Sequence, residues 1–338
     1  MKPAPPLAAQ DLDEIRSRLQ PCWQAFSGAS LLMTGCTGFF GPWLLEPLLA
    51  ANDDLGLGLK AWVLTRDPDG FRLRLPHLAG HRAVELLHGD VRTFEAPRVS
   101  FTHLIHGAAG SNSLRDPQTP ETMEETIVEG TRRVLSAAGV GKALFISSGA
   151  VYGPQPADLA RIAENHPPLP LEPGYGAGKR KAERLCADAP FPVAIARCFA
   201  FLAPHLPLDA HYAAGQFLGA ALAGLPIPIL GDGRPVRSYL YGTDLAWWLY
   251  TILLKGRPDR AYNVGSEEPV SLRKLAEAVA HTRPVTVALP PGSGPAPRYV
   301  PSTSRARTEL GLAQTVGLPE AIDRTLAWHR QAAFPEAP

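Results

Sequence analysis

The run Leu31-Leu32-Met33-Thr34-Gly35-Cys36-Thr37-Gly38-Phe39-Phe40-Gly41 constrains this chain more than any other stretch. Its apolar start is too short for a helix and reads as a buried strand. Three glycines follow at Gly-x-x-Gly-x-x-Gly spacing, and Trp43 to Leu49 continues with helix-like character. Strand, glycine turn and helix start together make an anion site. A side chain on the turn would hold the backbone away from a diphosphate, and the N–H groups of the first helical turn face it. Gly35, Thr37, Gly38, Phe39, Phe40 and Gly41 are the residues placed to make that contact.

At 338 residues, 45% hydrophobic and 19% charged, the chain has room for one large domain or two ordinary ones with a sizeable core. A net charge of +1 argues against nucleic acid or an anionic membrane surface as partner. Cys22, Cys36, Cys186 and Cys198 form no Cys-x-x-Cys pair and no disulfide framework, so a cytoplasmic location is expected. The first residues hold no apolar signal core. The longest apolar stretch, Leu245 to Leu254, is too short to span a bilayer and reads as a buried helix. The prolines are scattered and read as rigid loops. His77 and His81 stand four apart without a third ligand motif, so no metal site is expected.

In chain order, residues 1–27 form an extension in which Asp11 to Arg16 reads as a capped helix start. Lys60 to Thr65 is a second strand ended by Arg66-Asp67-Pro68. In a dinucleotide fold this strand end meets the adenosine ribose. An acidic residue there would bind a 2′-hydroxyl, and an arginine accommodates a 2′-phosphate. Thr65 fills the acidic position and Arg66 follows, which tips the cofactor toward NADP, with NAD still open through Asp67. Val84 to Val91 is a third strand ending in Gly89-Asp90-Val91. Phe101 to Ala109 is a fourth, ending in the small residues Gly107-Ala108-Ala109, and Thr122 to Ala138 is a helix.

Ala143 to Ser148 is a fifth strand that runs into Gly149-Ala150-Val151-Tyr152-Gly153. Downstream, Tyr175 and Lys179 stand four apart and share a helix face. A lysine ammonium near a phenol favours the phenolate, which would lower the Tyr175 pKa and suit it to proton transfer near neutral pH. Lys179 can also hold the nicotinamide ribose, and Ser148 can hydrogen-bond the same substrate oxygen as Tyr175. The loop Pro154 to Glu172 is long enough for a lid or a substrate edge. Val193 to Phe199 is a sixth strand.

Taken together, Thr-Gly-x-x-Gly-x-x-Gly, the Ser147-Ser148 strand end and Tyr175-x-x-x-Lys179 resemble the extended short-chain dehydrogenase/reductase family over roughly residues 29–330. The resemblance implies an α/β fold: a doubly wound parallel sheet (Rossmann) with a smaller C-terminal substrate domain. Residues 28–200 would form the dinucleotide-binding domain, with 236–262 returning to it. Residues 201–235 and 263–338 would form the substrate domain. The resemblance implies Asp90 and Val91 at the adenine, Gly107, Ala108 and Ala109 along the cofactor, and Tyr175, Lys179 and Ser148 as the catalytic set. The chain departs from the family at Ile127, Ala200 and Ala203, where asparagine, asparagine and glycine are usual.

The segment Gly231-Asp232-Gly233 to Asp244 looks like the nucleotide-sugar branch, in which Arg237 would bind the substrate diphosphate. The implied activity is hydride transfer at a sugar carbon, C4, of a nucleoside-diphosphate sugar by a homodimer. The reading is a 4-epimerase or a keto-sugar reductase. The family's 4,6-dehydratases and decarboxylases are set aside, because Gly149-Ala150 stand where those carry acidic residues. The alternatives are an NADPH reductase of a non-nucleotide ketone and a non-catalytic dinucleotide sensor.

Overall fold

The computed structural model describes residues 3–109, 118–137, 139–208, 212–258, 260–281, 283–290 and 292–333. The first half opens with α1 (Ala9–Leu19), a 3-10 turn (Trp23–Phe26), β1 (Ser30–Thr34) and α2 (Phe40–Leu55). Next come β2 (Lys60–Thr65), α3 (Pro68–Arg74), α4 (Pro76–Ala79), β3 (Val84–His88), β4 (His103–His106) and α5 (Pro120–Leu135). β5 (Lys142–Ser148), a second 3-10 turn (Gly149–Tyr152), α6 (Tyr175–Ala187) and β6 (Val193–Cys198) complete it. The second half contains α7 (Ala213–Leu222), β7 (Ile227–Ile229), β8 (Val236–Arg237), α8 (Gly242–Lys255) and β9 (Ala261–Val264). It ends with β10 (Val270–Ser271), α9 (Leu272–Ala280), β11 (Val285–Val287), β12 (Arg298–Tyr299), α10 (Ser304–Leu310) and α11 (Leu318–Ala333).

Seven strands make one parallel sheet in the order β3-β2-β1-β4-β5-β6-β9. It is the doubly wound α/β arrangement that the family resemblance implies. The chain order reverses between β1 and β4, which opens a crevice at the strand C-terminal ends. Leu31, Leu32 and Met33 of β1 are fully buried, as a central strand covered by helices on both faces requires. The second half builds two small sheets, β10-β8-β12 and β11-β7, beyond the edge where β9 rejoins the large one. No helix among the described residues is long and apolar enough to cross a membrane, and Leu245 to Leu254 lies inside the buried α8.

The N-terminal segment differs from its sequence reading. Asp11 does not cap α1: the N-cap is Ala8, without a side-chain bond. Asp11 instead is buried in the first turn, where it accepts from the Tyr241 hydroxyl at 2.7 Å and from Arg324 of α11 at 2.8 Å. Ile15, Leu19, Trp23 and Phe26 are buried in the same core as β1 and α8. Trp23 meets Tyr250 edge-on at 5.5 Å. Residues 154–172 are likewise stitched down. Ile162 N donates to Val300 O at 2.9 Å, Ser302 N to Ile162 O at 2.8 Å, and Val300 N to the Gln155 side chain at 2.8 Å. This segment ties the strand end after β5 to the second half of the chain.

Trp23 fills core volume rather than decorating an appendage. Trp23→Ala is therefore expected to lower the unfolding free energy by about 3–5 kcal/mol, the usual cost of emptying a buried aromatic site. Denaturant melts followed by circular dichroism measure this, and a loss under 1 kcal/mol would contradict the packing.

Candidate active site

The glycine loop joins β1 to α2, and each of its glycines has a different cause. Gly35 adopts φ +74°, and a Cβ there would lie 2.4 Å from the Gly107 carbonyl carbon. Gly41 is closed in by its own loop, with a Cβ meeting Cys36 O at 1.8 Å. Gly38 is different: its Cβ position meets only Gly35 O, at 3.9 Å. The protein itself therefore gives no steric reason for glycine at 38. Open space over an N-terminal helix turn fits a dinucleotide pyrophosphate, the group the loop's sequence implies. Thr37 lies between the glycines, and its carbonyl accepts from the Arg74 guanidinium. Phe39 and Phe40 pack on Phe201 after β6, at 6.1 and 5.6 Å between ring centroids.

A buried relay pins the strand ends beside this loop. Ala108 N donates to Thr34 Oγ1 at 3.3 Å, and Thr34 Oγ1 lies 2.6 Å from His106 Nδ1. His106 Nε2 lies 2.9 Å from Thr131 Oγ1, which donates to Ile127 O at 2.7 Å. Since the Thr131 proton is committed to Ile127 O, His106 Nε2 must be the donor and Nδ1 the acceptor from Thr34. Burial and the nearby Lys179 charge push the His106 pKa down to about 3, which keeps this neutral tautomer. Gly107 and Ala108 are positioned by the relay, with Ala109 next in line.

At the other end of the crevice, Arg66 is exposed beyond β2. Neither nearby carboxylate is uncommitted. Asp67 caps α3 by accepting from Gly70 N at 2.8 Å. Asp90 accepts from Arg92 Nε at 2.8 Å and Nη2 at 3.1 Å, and that pairing holds its carboxyl below the ordinary range. Val91 faces α5, lying 2.7 Å from a Cβ placed on Gly130.

Ser148 ends β5 and Tyr175 opens α6. The Tyr175 phenol faces the Ser148 hydroxyl, which lies 3.4 Å from the Tyr299 hydroxyl of β12. The expected lowering of the Tyr175 pKa is not what the structure gives. Desolvation of the phenol raises it, with Tyr299 adding and the neighbouring Ser148 hydroxyl opposing. Tyr175 as a residue is 39% exposed, yet its hydroxyl points inward at Ser148. Lys179 does not bond that phenol. Its ammonium donates to Ile146 O at 2.7 Å and lies 5.9 Å from the Tyr175 ring centroid. At 1% exposure Lys179 is pushed down to about 8 by burial. Ser148, Tyr175 and Lys179 are thus brought together, with Lys179 held against β5.

Sequence reading missed the network beneath them. Glu183, four residues after Lys179, accepts from Ser147 Oγ at 2.5 Å and from Arg197 Nη2 at 2.7 Å. Arg197 Nη1 donates to Tyr152 Oη at 2.9 Å, and Tyr152 donates to Asn263 Oδ1 at 2.8 Å. The available signals were a charge inside the apolar strand Val193–Phe199 and a carboxylate on the Tyr175/Lys179 face. Tyr299 carried no motif. It stacks on Phe199 at 4.6 Å, and the Arg237 guanidinium lies 5.8 Å from its ring. Arg237 and Ser148 therefore meet across one tyrosine.

A profile of the NAD dependent epimerase/dehydratase family matches residues 31–265. The chain is 28% identical over 323 residues to a dTDP-glucose 4,6-dehydratase of Streptomyces antibioticus, covering 89% of this chain and 92% of that one. It is 26% identical over 318 residues to UDP-glucuronic acid decarboxylase 1 of Arabidopsis thaliana, covering 90% of this chain and 71% of that one. Among solved structures, DesIV, a dTDP-glucose 4,6-dehydratase from Streptomyces venezuelae crystallised with NAD, superposes with a TM-score of 0.76. It is 26% identical, covering 89% of this chain and 97% of DesIV. These relatives overturn the expectation that Gly149-Ala150 excludes dehydration and decarboxylation. Enzymes of both kinds match nine-tenths of the chain, so two residues after Ser148 are too local a basis for excluding either.

Two outcomes follow from this geometry. Gly38→Ala is expected to fold with an unchanged melting temperature and to lose dinucleotide binding by about tenfold or more, as a methyl enters the phosphate space. Gly41→Ala is expected to unfold or strongly destabilise the protein. Equal cofactor binding by wild type and Gly38→Ala in a calorimetric titration would refute the cradle. Separately, Lys179 has a folded pKa below its unfolded one, so the unfolded state binds the extra proton between about pH 8 and the ordinary lysine value. Stability should rise with pH across that window. Lys179→Met should flatten this rise in melts run from pH 7 to 10.5; an unaltered slope would assign the rise elsewhere.

Proposed function

The chain belongs to the NAD dependent epimerase/dehydratase family, and from that premise we propose that it oxidises C4 of a nucleoside-diphosphate sugar by hydride transfer. The observation that carries the reading is the meeting of Tyr175 and Ser148, with Tyr299 and Arg237 approaching from the second half of the chain. A bound nicotinamide dinucleotide supplies the hydride acceptor. The residues suited to hold it are Gly35 to Gly41 at the pyrophosphate and Lys179 toward the ribose.

In this reading Ser148 donates to or accepts from the reacting sugar oxygen and fixes its position. The Tyr175 phenolate takes the hydroxyl proton as the carbon loses its hydride, leaving a 4-keto sugar and a neutral phenol. Because burial raises the Tyr175 pKa, the oxidation should quicken as pH rises from neutrality. Lys179 places a positive charge on the same face and favours the phenolate, all the more once a ligand draws it from Ile146 O. Arg237 is suited to the diphosphate through its planar fork. The Asn-to-Ala departure at Ala200 leaves substrate orientation to Tyr299 and Ser148. We read the ketone as being reduced again from its opposite face, with inversion at C4 and no net redox change; the alternative is the reverse half-reaction alone, in which an incoming 4-keto sugar would take hydride from NADPH and the proton from Tyr175.

The same reading takes NADP as the cofactor. It rests on the exposed Arg66 at the end of β2 and on the prior commitment of Asp67 and Asp90 to Gly70 and Arg92. A homodimer through α5 and α6, which pack closely on each other, belongs to it as well.

Tyr175→Phe should fold normally and lose roughly 10²-fold or more in kcat, since the ring stays and the transferable proton goes. Product mass spectrometry on UDP- and dTDP-hexoses with wild-type protein identifies the reaction. Unchanged mass with a new stereoisomer supports epimerisation, and uptake of two hydrogens from a 4-keto sugar supports reduction. Loss of water or of carbon dioxide would replace the last step while keeping C4 oxidation. Wild-type turnover by Tyr175→Phe would refute the acid/base role.

A further inference from the structure

We propose that Glu124 of α5 is a positioning residue for Tyr175, acting by fixing the backbone from which that side chain is presented. The inference rests on the acid/base reading of Tyr175 above and names what holds that tyrosine in place.

Three observations carry it. First, the Glu124 carboxylate reaches from α5 to the start of α6. Its Oε2 accepts from Gly174 N at 3.0 Å, and its Oε1 accepts from the Lys181 ammonium. Gly174 is the N-cap of α6 and Tyr175 is the first residue of that helix. Second, Gly174 adopts φ +135° and ψ −155°. Only glycine takes up such a backbone readily, and glycine is also the residue freest to leave it. In a capping box, a Glu or Gln three residues into the helix bonds the N-cap N–H. Ala177 stands at that place in α6, and Glu124 supplies the bond from another helix. The Gly174 carbonyl accepts from Gly178 N at 2.8 Å, so the residue ahead of Tyr175 is held at both of its polar groups. Third, the first turn of α6 is pressed between α5 and the Gly149–Tyr152 turn that follows Ser148. A Cβ on Gly176 would lie 2.7 Å from Ala150 O, and one on Gly178 would lie 3.1 Å from Glu124 Cα.

The carboxylate is well suited to this task. Lys181, and after it the Gly174 N–H, hold the Glu124 carboxyl below the ordinary range, so it is charged at neutral pH. A bond from a backbone N–H to a carboxylate is stronger than one to a neutral acceptor. The Tyr175 phenol must meet both Ser148 and a sugar hydroxyl. A misplacement of about 1 Å at such a group can cost about 10²-fold in rate. Releasing Gly174 N would let the Tyr175 backbone turn and carry the phenol away from Ser148.

The competing role for Glu124 is a surface ion pair with the half-exposed Lys181, which would matter little to either stability or turnover. The test compares wild type with Glu124→Ala, Glu124→Gln and Lys181→Met, each shown by melting curves to be folded. Hydrogen exchange read by mass spectrometry needs no substrate. Glu124→Ala should exchange about tenfold or more faster in peptides covering residues 173–180, with those covering 31–45 unchanged. Turnover is measured on the hexose nucleotide that the product screen above identifies. Glu124→Ala should lose about tenfold or more in kcat, with KM within about threefold of wild type. Glu124→Gln keeps an acceptor for Gly174 N and should recover most of both effects, which also keeps the test open if Glu124→Ala fails to fold. Lys181→Met removes the ion pair alone and should stay within about threefold in kcat. Added to Tyr175→Phe, Glu124→Ala should cost at most about threefold more, because the group it positions is gone. Unchanged exchange at 173–180, a loss in Lys181→Met equal to that in Glu124→Ala, or a full additional loss on top of Tyr175→Phe would overturn the assignment and leave the Tyr175 reading standing. Wild-type turnover by Tyr175→Phe would overturn the acid/base reading, and the role of Glu124 with it.

Discussion

The buried pair of Glu183 and Arg197 is the interaction on which the candidate site is assembled. Glu183 belongs to the helix that carries Tyr175 and Lys179, and Arg197 belongs to β6. Between them they collect Ser147 from β5 and Tyr152 from the turn that follows it. Tyr152 passes the connection to Asn263 of β9, whose amide nitrogen donates to Ile162 O at 2.9 Å and Ser302 O at 3.0 Å. Breaking such a pair by removing one partner typically costs about 3–5 kcal/mol, because the other charge is left buried and unmatched. The pair holds Ser147, the neighbour of Ser148, so the cost would fall on site geometry as well as on stability. The Glu183 carboxylate also keeps a negative charge on the Lys179 side of the helix, which partly offsets the burial of that ammonium.

The site is consequently held by commitments that predate any ligand. His106 is fixed in one tautomer by two threonines, Asp67 and Asp90 by local donors, and Lys179 by a strand carbonyl. Gly38 and the Ser148–Tyr175 pair are the places where the protein supplies less than the residues could accept. That contrast, rather than any single motif, separates the residues that build the crevice from those that face its contents.

Much of the large sheet was legible in the sequence because its strands are covered on both faces and read as short apolar blocks bounded by turns. β1, β2 and β5 fall within a residue or two of where the pattern puts them. The glycine loop was legible because its spacing is a backbone requirement. The N-terminal segment was not, since an amphipathic helix at a chain end gives no sign of whether it packs on the core or beside it. Tyr299 and Arg74 were not legible either. Both matter through contacts made across long sequence distances, and neither sits in a spaced pattern. The direction of the Tyr175 shift was misjudged because helix spacing places Lys179 on the right face but does not say which acceptor its ammonium chooses. Glu183 and Arg197 were visible as charges in apolar surroundings, a signal of a buried pair that went unread.

The stitching of the two chain ends has a consequence for how the protein is made. Trp328 of α11 donates to Pro6 O, and Arg324 holds Asp11 and Glu14, contacts that span 322, 313 and 310 residues of sequence. A chain emerging from the ribosome at about 5–20 residues per second therefore holds its first helix without its final partner for on the order of 15–60 seconds. During that interval α1 and the Trp23–Phe26 turn can dock on α2 and β1 but not on α8 or α11. The apolar face of α1 and the Trp23–Phe26 turn thus lacks its α8 cover, Tyr250 included, until α8 has been made, and Asp11 and Glu14 wait longer for Arg324. Its demand for a holding chaperone over that interval would be set by the speed at which the stretch between α1 and α8 is translated and not by the stability of the finished fold.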